Sequence, residues 1–368
     1  MSTRVALISP YALGVFGGVQ EQVVAMSREL ERRGHEVLIV APDGRDVSTV
    51  DSLASVARFG RLLSLPANGS RAPLTLSPLA ALRARQAVRA FRPDVVHFHE
   101  PFAPLVGWGV LSDHGAAAVA TFHRSGNGPA LRLTGPLLRF LSSHIDASVA
   151  VSAEAASTIR SAARIDALVL FNGFETERFV ASPRVRTGET VIVTVGRLEE
   201  RKGTEHAIRA VRAHNARDVD RWRLVIVGDG PQRRRLEALA ANDERILFAG
   251  ALGDAQKREW LRRANVVVAP ATRGESFGLV LLEAMASESV VVASDIAGYR
   301  EATGGFAVLF APGDSSALEQ AIATALSSET PERVAAARAH AQHWSMRSLM
   351  DAYEPVYATA REHFQSAR

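Results

Sequence analysis

The chain of 368 residues contains no cysteine. This absence excludes disulfides, thiolate metal ligands and a cysteine nucleophile, and it is typical of a protein kept in a reducing compartment. Aromatic residues are also scarce, at 6% of the chain. Few side chains are therefore available to stack on bases, which argues against a nucleic-acid-binding protein.

Long hydrophobic runs are missing as well. The longest uncharged apolar stretch covers residues 101–111, whereas a helix that spans a bilayer needs about 20 apolar residues. The apolar run after Arg4 is too short for the core of a signal peptide, and no small-residue cleavage site follows it. We therefore expect a cytoplasmic protein without a transmembrane segment.

Lysine is nearly absent, because only Lys202 and Lys257 among the 43 basic residues are not arginine. Arginine thus serves wherever any cation suffices. A lysine carries a compact point charge on a flexible stem. The two lysines are therefore expected at positions that need such a charge.

Acidic residues are missing from residues 52–93, which carry seven arginines. The net charge of +4 lies entirely in residues 1–172, which contain 17 arginines and 13 acids. One interpretation is a solvated arginine-rich face. The other is a surface that attracts an anion, such as a phosphorylated substrate, an anionic lipid or a nucleic acid.

Short β-branched runs alternate with amphipathic stretches in both halves of the chain, which indicates βαβ units and parallel sheets. At roughly 150 residues per domain, the length suits about two domains. We predict an α/β protein with two Rossmann-like, doubly wound domains that face a cleft. The predicted parts are a first domain (1–172), a polar linker (173–189), a second domain (190–345) and a C-terminal helix that crosses back to the first domain (346–368).

The first candidate motif is a glycine-containing loop, Gly14-Val-Phe-Gly-Gly-Val-Gln, between the first predicted strand and the first long helix. The backbone amides of Gly17 and Gly18 can approach a phosphate at the start of that helix. The spacing does not match a dinucleotide-binding fingerprint. A simple tight turn is the alternative.

The second candidate motif is Gly196-Arg-Leu-Glu-Glu-Arg-Lys-Gly, again between a predicted strand and a helix. The start of a helix is electropositive, so cations there are unfavourable for the helix itself. The crowding of Arg197, Arg201 and Lys202 at this point therefore indicates a bound anion. A solvated loop is the alternative.

The third candidate motif surrounds a predicted helix over residues 277–286, with Glu275 before it and Glu283 inside it. A buried carboxylate is costly unless it is paired or hydrogen-bonded. The two glutamates are about 12 Å apart along a helix axis, and Gly278 leaves first-turn amides open to an anion. This order suits a hexose hydroxyl, a diphosphate and a ribose diol, whereas the alternative is a helix N-terminal acid plus one core glutamate.

Three histidines lie at the ends of predicted strands in the first half. His97 and His99 alternate on one strand and so point to the same face. No third ligand lies at useful spacing nearby, so we predict a hydrogen-bonded pair rather than a metal site. His123 ends another strand, at the edge where open α/β sheets bind ligands; a core histidine with satisfied hydrogen bonds is the alternative.

These motifs resemble, in the same order along the chain, those of the family 4 retaining glycosyltransferases, which have the GT-B fold. The signature consists of Glu275 and Glu283 with Ser-Phe-Gly between them, the loop at 196–203 and Val-Gly-Asp-Gly-Pro at 227–231. The resemblance covers essentially the whole chain. The segments most similar to the actinobacterial phosphatidylinositol alpha-mannosyltransferases are Pro10-Tyr11, Gly17-Gly18-Val19-Gln20, Asn68-Gly69-Ser70, His99-Glu100-Pro101 and Thr121-Phe122-His123.

The resemblance implies a role for each matching residue, and it implies neither a cofactor nor a metal site. The catalytic positions are His123, which lies beside the transferred sugar, and Arg197, Lys202 and Glu275. The donor-binding positions are Gly17, Gly18, Leu252, Asp254, Lys257, Ser276, Phe277, Gly278 and Glu283. The acceptor-binding positions are Tyr11, Gln20, Asn68, Ser70, Arg71 and Arg124.

The resemblance also implies the reaction, a retaining and metal-independent transfer of a hexose from a nucleotide diphospho-sugar. GDP-mannose is the expected donor, and the expected acceptor is anionic, namely phosphatidylinositol or a related inositol lipid. Three acceptor-side positions, Pro73, Thr75 and Phe102, depart from the pattern of the inositol-lipid enzymes. Transfer to a soluble acceptor therefore stays open, as does a nucleotide-sugar 2-epimerase.

A lipid acceptor implies peripheral contact with anionic lipid at the inner face of the plasma membrane. Apolar residues recur at helical spacing over residues 79–91, and the arginines among and after them are Arg83, Arg85, Arg89 and Arg92. Such a helix can rest on anionic lipid, at about 1 kcal/mol per arginine near the surface. Alternatively, the apolar residues are core contacts of a crossover helix and the arginines are its solvated face.

Overall fold

The computed structural model divides the chain into two compact units. The first is formed by Met1–Phe174 together with Met346–Arg368, and the second by Glu175–Ser345. The structure describes residues 2–13, 18–43, 55–60, 63–67, 70–74, 77–103, 106–112, 114–123, 135–179, 188–217, 220–275 and 277–367.

A parallel sheet forms the centre of the first unit. The strands of this unit are β1 (Arg4–Ile8), β2 (Glu36–Pro42), β3 (Val56–Phe59), β4 (Leu63–Ala67), β5 (Ser70–Leu74), β6 (Val95–His99), β7 (Ala117–Phe122), β8 (Ala147–Ala150) and β9 (Leu168–Val169). The sheet has the order β3-β2-β1-β6-β7-β8-β9, and β4 pairs with β5 in a separate antiparallel hairpin. Chain order reverses between β1 and β6, so a topological switch point lies at their carboxyl ends.

The strands of this sheet are apolar on both faces because both faces are covered. Val5 and Leu7 are buried in one layer of the core, and Ala6 and Ile8 in the other. Such double burial explains why β1 is a continuous apolar run rather than an alternating one. The parallel α/β prediction for this unit is therefore correct.

Helices cover the sheet of the first unit. They are α1 (Gly18–Arg32), α2 (Pro78–Phe91), α3 (Val106–Leu111), α4 (Gly135–Ser142), α5 (Ala153–Ala163) and the C-terminal helix α13 (Met346–Ser366). The sequence pattern does not predict α3, since it contains two glycines. Gly109 is nevertheless required there, because a Cβ at this position would lie 2.7 Å from the Cβ of Ala81 in α2. Within the described residues, none of the helices is both long and apolar enough to cross a bilayer.

The C-terminal helix α13 completes the core of the first unit. Leu349, Tyr353 and Val356 recur at helical spacing and are buried against strands of the sheet. At the end of α1, the Arg33 guanidinium donates a hydrogen bond of 2.8 Å to Asp351. Helix α13 is therefore an integral part of the first unit.

A second parallel sheet forms the centre of the second unit. Its strands are β10 (Thr190–Val195), β11 (Trp222–Val227), β12 (Ile246–Gly250), β13 (Val266–Ala269), β14 (Val290–Ser294) and β15 (Val308–Phe310), in the order β12-β11-β10-β13-β14-β15. Its helices are α6 (Thr204–Asn215), α7 (Arg233–Ala240), α8 (Asp254–Arg263), α9 (Leu279–Ala286), α10 (Ala297–Thr303), α11 (Ser315–Ser327) and α12 (Pro331–Gln342). The switch point lies between β10 and β13. The sequence does not predict α10 and β15, because elements this short carry little periodicity.

The sequence predicts a linker over residues 173–189, but in the structure the first residues of this segment are packed into the two units. Gly173 packs against Leu349, and the carbonyl of Phe174 accepts a hydrogen bond of 2.8 Å from the Met346 amide. Residues Thr176–Phe179 then form a 3-10 helix in the second unit. Residues 173–179 are thus packed parts of the two units, because apolar side chains among polar ones give them a core to join.

Truncation of Leu349 tests whether α13 is part of the core of the first unit. Leu349 is only 1% exposed, so Leu349→Ala is expected to lower the free energy of unfolding by about 2–5 kcal/mol. Glu362→Ala, on an exposed turn of the same helix, is the control and is expected to change it by less than about 0.5 kcal/mol. Urea denaturation measures both, and equal effects would contradict the packing.

Candidate functional site

Two loops meet at the switch point of the second sheet. The first, residues 196–203, follows β10, and the second, residues 270–278, follows the neighbouring strand β13. The Thr272 amide donates a hydrogen bond of 2.8 Å to the Arg201 carbonyl, which ties the loops together. Gly203 has a φ of 65°, and a Cβ there would lie 2.0 Å from a carbonyl oxygen of the second loop. Only glycine allows this approach.

Five charged side chains form a continuous row across the two loops. The buried Glu199 carboxylate pairs with Arg197 at 3.2 Å and with Arg201 at 3.1 Å. Arg201 also reaches Glu275, and the Nζ of Lys202 lies 2.7 Å from the same Glu275 oxygen. Three cations against two carboxylates leave one positive charge, at the sheet edge where α/β proteins bind ligands.

The ionisation of Glu275 follows from its two cationic partners. Burial on its own raises the pKa of this carboxyl, but Lys202 and Arg201 outweigh burial, so the pKa of Glu275 lies below its ordinary value. Burial acts in the same direction on Tyr299 and is not outweighed there, so burial and the nearby Glu275 charge raise the pKa of this hydroxyl well above its ordinary value. At neutral pH the site therefore contains an ionised Glu275 and an uncharged Tyr299.

Helix α9 begins later than the sequence predicts. Gly278 is its N-cap and has a φ of 94°. This left-handed conformation is not helical, so the helix begins only at the next residue. A Cβ at Gly278 would lie 2.7 Å from the Tyr299 ring. Phe277 is buried edge-on against Trp344, with ring centroids 4.8 Å apart. The predicted helical residues 277 and 278 are instead a fixed turn, and Gly278 has no side chain to cap the amides of the first turn.

A second ion pair lies within the second unit. The Nζ of Lys257 is 2.9 Å from a Glu283 oxygen and 3.8 Å from Asp254, and Lys257 and Glu283 are both buried. Arg178 pairs with Asp254 in turn. The half-buried Leu252 precedes α8, which carries Asp254 and Lys257. The predicted base-pocket residues and the predicted ribose-binding glutamate are thus brought together.

A cavity opens between the two loops at the carboxyl ends of β10, β11 and β13. Gly196, Lys202, Val280 and Tyr299 are among its lining residues. The cavity therefore places one lysine of the charged row beside the start of α9.

The three candidate histidines of the first unit, His97, His99 and His123, lie at the carboxyl ends of β6 and β7. The rings of His97 and His99 are stacked with centroids 4.6 Å apart. Both rings are hydrogen-bonded, to other side chains rather than to each other. His97 instead contacts the hydroxyls of Tyr357 at 2.8 Å and Thr121 at 2.7 Å. The same Thr121 hydroxyl lies 2.7 Å from that of Tyr353. Residues of α13 therefore fix His97.

His123 is linked to the second of these histidines. Its Nε2 lies 3.0 Å from the Nδ1 of His99, and its backbone amide donates to the Glu100 carboxylate. Burial lowers the pKa of His97 to about 3 and that of His123 to about 4. The stack is therefore uncharged at neutral pH.

The remaining predicted residues are placed as follows. Gly18 begins α1, and Gln20 is buried in that helix, so its side chain faces the core. Tyr11 is half-buried, and its carbonyl accepts a hydrogen bond of 2.8 Å from Ser9. Ser70 and Arg71 lie in strand β5. The predicted residues outside the described parts of the chain are Gly17, Asn68, Arg124 and Ser276.

Sequence reasoning missed several residues that complete these clusters. In the second unit they are Glu199, Arg201 as a bridge between two carboxylates, and Tyr299. In the first unit they are Thr121, Tyr353 and Tyr357. The Glu-Glu pair inside a cationic loop signals that one of the two carboxylates neutralises its neighbours, whereas nothing local marks the two tyrosines.

The described residues contain no group of three or more histidines and carboxylates arranged to hold a metal ion. One Asp-x-Asp sequence does occur, at Asp218 and Asp220. Asp220 lies just before β11, at the amino edge of the second sheet, while the two site loops leave its carboxyl edge. Asp220 therefore lies at the opposite end of the sheet from the two loops, and Asp218 is outside the described residues.

Comparison with known families gives two matches that together cover most of the chain. The model described as Glycosyltransferase Family 4 matches residues 16–178, and the one described as Glycosyl transferases group 1 matches residues 175–344. The boundary between the two matches lies at the boundary between the two units.

Similar proteins match over most of their length. A phosphatidyl-myo-inositol mannosyltransferase of Mycobacterium leprae is 35% identical, over 96% of this chain and 97% of that protein. A GDP-mannose-dependent alpha-mannosyltransferase of Mycolicibacterium smegmatis is 32% identical, over 81% of each. A glycosyltransferase structure from Rickettsia africae superposes with a TM-score of 0.75 at 18% identity and covers 98% of both chains. This likeness confirms the predicted GT-B fold.

Removal of Lys202 tests whether the charged row binds an anion. Lys202→Ala is expected to weaken the binding of inorganic pyrophosphate about tenfold or more, because a hydrogen bond to a charged group contributes about 1.5–3 kcal/mol. Arg234→Ala removes one exposed positive charge from α7 and is the control, with little expected effect. Titration calorimetry measures both, and equal weakening would mean that only the overall charge matters.

Proposed function

The chain belongs to glycosyltransferase family 4, and on that premise we propose that it transfers mannose from GDP-mannose to phosphatidylinositol or a related inositol lipid. We further propose that the transfer retains the anomeric configuration and needs no metal ion. The names of the relatives from Mycobacterium leprae and Mycolicibacterium smegmatis support the acceptor and the donor, respectively. The observation in this chain that carries the proposal is the row of three cations around Glu199 and Glu275.

In the proposed reaction the second unit binds the nucleotide-sugar. Negative charge develops on the diphosphate as the glycosidic bond breaks, and preorganised cations stabilise it most effectively. Arg197 and Lys202 supply this charge, helped by the amides of Phe277 and Gly278. Because Glu199 and Glu275 already hold the cations in place, little reorganisation is needed when the donor arrives. Glu275 then contacts the sugar.

The nucleoside part of the donor is assigned to the other ion pair. Glu283 accepts hydrogen bonds from the ribose diol, and its carboxylate pairs with the Lys257 ammonium at 2.9 Å. Asp254 and the half-buried Leu252 line the base pocket. In the first unit, the amides of Gly17 and Gly18 approach the diphosphate, and the uncharged His123 lies beside the sugar.

A panel of GDP-, UDP- and ADP-sugars tests the donor, with nucleotide release as the measurement. GDP-mannose is expected to give the highest rate when the inositol lipid is present. A preference for a UDP-sugar would remove the mannosyl proposal. Conversion of the donor in the absence of any acceptor, followed by NMR of the sugar, would instead identify a 2-epimerase.

Substitution of Arg197 tests the charge-neutralising mechanism. Arg197→Ala is expected to lower kcat roughly 100-fold or more, since the lost group stabilises charge that appears in the transition state. Arg234→Ala is the matched control and is expected to retain the wild-type kcat. EDTA is expected to leave turnover unchanged. Near-normal turnover of Arg197→Ala, or complete loss of wild-type activity with EDTA, would reject the mechanism.

The acceptor side is proposed to include helix α2 as a membrane contact. Ala84 and Val88 are buried in the core, whereas Leu79 and Leu82 are 54% and 42% exposed. The solvent-facing arginines of this helix and its C-cap are Arg83, Arg89 and Arg92. The apolar residues thus divide into a core face and an exposed pair, and the exposed pair lies among cations, as a contact with anionic lipid requires.

Vesicle co-sedimentation tests this contact. Wild-type protein is expected to bind vesicles that contain phosphatidylinositol and to release them at high salt, because charge screening weakens the arginine contacts. The double change Leu79→Ser and Leu82→Ser is expected to reduce binding, while Leu309→Ser, at an exposed leucine of the second unit, is the control. No binding at low salt, together with sugar transfer to a water-soluble acceptor, would replace the lipid by a soluble acceptor.

A further inference from the structure

We propose that His99 is a positioning residue that donates its Nδ1–H to the Nε2 of His123 and thereby holds His123 as the Nδ1–H tautomer. The Nδ1–H of His123 is then a hydrogen-bond donor for the transferred sugar. The placement of His123 beside the sugar rests on the proposed function. The direction of the His99–His123 hydrogen bond rests on the structure of the first unit alone.

The direction of this hydrogen bond follows from the two nitrogens of His99. Its Nδ1 lies 3.0 Å from the Nε2 of His123, and its own Nε2 is buried with no hydrogen-bond partner among the described residues. A neutral imidazole has one N–H donor and one bare nitrogen. A proton on the Nε2 of His99 would be a buried donor without an acceptor, which is rare and costly. The proton therefore belongs on Nδ1, where it meets His123.

The tautomer of His123 follows from that of His99. A hydrogen bond needs one donor and one acceptor, so the Nε2 of His123 is the bare nitrogen. Burial and the neighbouring histidines lower the pKa of His99 well below its usual value, and burial lowers the pKa of His123 to about 4. Both rings are thus neutral, and the single proton of His123 is on Nδ1. This nitrogen has no hydrogen-bond partner among the residues that the structure describes.

The surroundings hold both rings at this geometry. His97 stacks on His99 at a centroid distance of 4.6 Å, and the His99 and His123 rings are 5.3 Å apart with an interplanar angle of 24°. His97 is itself bonded to Tyr357 in α13. On the other side, Glu100 adopts a left-handed φ of 50°, and its carboxylate accepts the backbone amide of His123. Ring and backbone of His123 are therefore fixed independently.

A neutral donor suits the proposed reaction better than a charged one. Positive charge develops on the sugar ring as a glycosidic bond breaks. An imidazolium beside the ring would oppose this charge, whereas a neutral N–H can still orient a sugar hydroxyl. Because His99 donates to His123, His123 keeps an Nδ1–H that can bond to the sugar while its ring stays uncharged.

Nitrogen NMR of the full-length protein tests the tautomer directly. Protein labelled with 15N at histidine is recorded at neutral pH without donor or acceptor, and the His123 signals are assigned by their loss in His123→Gln. The 15N chemical shifts of His99 and His123 are both expected to be those of the neutral tautomer that carries its proton on Nδ1. An Nε2–H pattern or an imidazolium at His123 would overturn the inference. Because no substrate is present, this result is independent of the donor and acceptor assays that test the proposed function.

Two variants, His99→Asn and His99→Asp, have side chains of the same shape as each other and test the consequence for turnover. In His99→Asn the amide nitrogen can occupy the place of Nδ1 and still donate, so kcat is expected to fall by less than about tenfold. In His99→Asp the donor is replaced by a carboxylate, and kcat is expected to fall by about 100-fold, the scale of a lost preorganised donor, with the donor KM little changed. The NMR spectrum of His99→Asp is expected to show the Nε2–H pattern at His123.

A buried histidine elsewhere in the first unit controls for general destabilisation. His114→Asn changes a histidine that is 9% exposed and lies outside the His97–His99–His123 stack, and it is expected to retain the wild-type kcat. Thermal melting is measured for all three variants. Equal losses of kcat in His99→Asn and His99→Asp would show that His99 only fills space, and the positioning role would be rejected.

Discussion

The ionised carboxylate of Glu275, held between Lys202 and Arg201, is the interaction on which the site of the second unit depends. A buried carboxylate is unfavourable without such partners, and three clustered cations are equally unfavourable without Glu199 and Glu275 between them. The row is therefore stable only as a whole. It brings together two loops whose paired residues Arg201 and Glu275 are 74 positions apart in sequence, and it leaves a net positive charge for a ligand.

The two lysines of the chain fall on the two glutamates of the Glu-x7-Glu motif. Lys202 pairs with Glu275 and Lys257 pairs with Glu283. In a protein that uses arginine almost everywhere else, this placement gives the scarcity of lysine a physical meaning. An ammonium is a compact charge that one carboxylate oxygen can hold and that a ligand can approach from another side, whereas a guanidinium, as in Arg201, bridges two carboxylates at once.

The topology of the sheets explains why both units place polar clusters at comparable points. In each sheet the chain order reverses beside the first strand, and the loops that leave the adjacent carboxyl ends diverge and leave room for side chains. The charged row of the second unit and the histidine stack of the first both occupy such a point. The first cluster is held by ion pairs, while the second is held by stacking and neutral hydrogen bonds, because burial suppresses the charge on its histidines.

The sequence alone determined the α/β class, the two-sheet organisation, the order of the loops and the membership of the family. These features depend on local patterns: apolar runs that form buried strands, glycines that permit close approach, and charged residues beside them. The sequence also indicated Arg197, Lys202, Glu275 and Glu283, since cations at the start of a helix and a carboxylate in an apolar helix are locally unfavourable. The roles of these residues stay predictions.

Only the tertiary structure decided which partners complete each cluster. Arg201 reaches Glu275 because β10 and β13 are neighbours, and Tyr353 and Tyr357 reach Thr121 and His97 because α13 returns to the first sheet from the far end of the chain. The start of α9 was likewise decided by Gly278 against Tyr299, a contact that no helical periodicity contains. Hydrogen bonds and ion pairs act over a few ångströms in space, so residues distant in sequence become partners only when the packed sheets and helices bring them together.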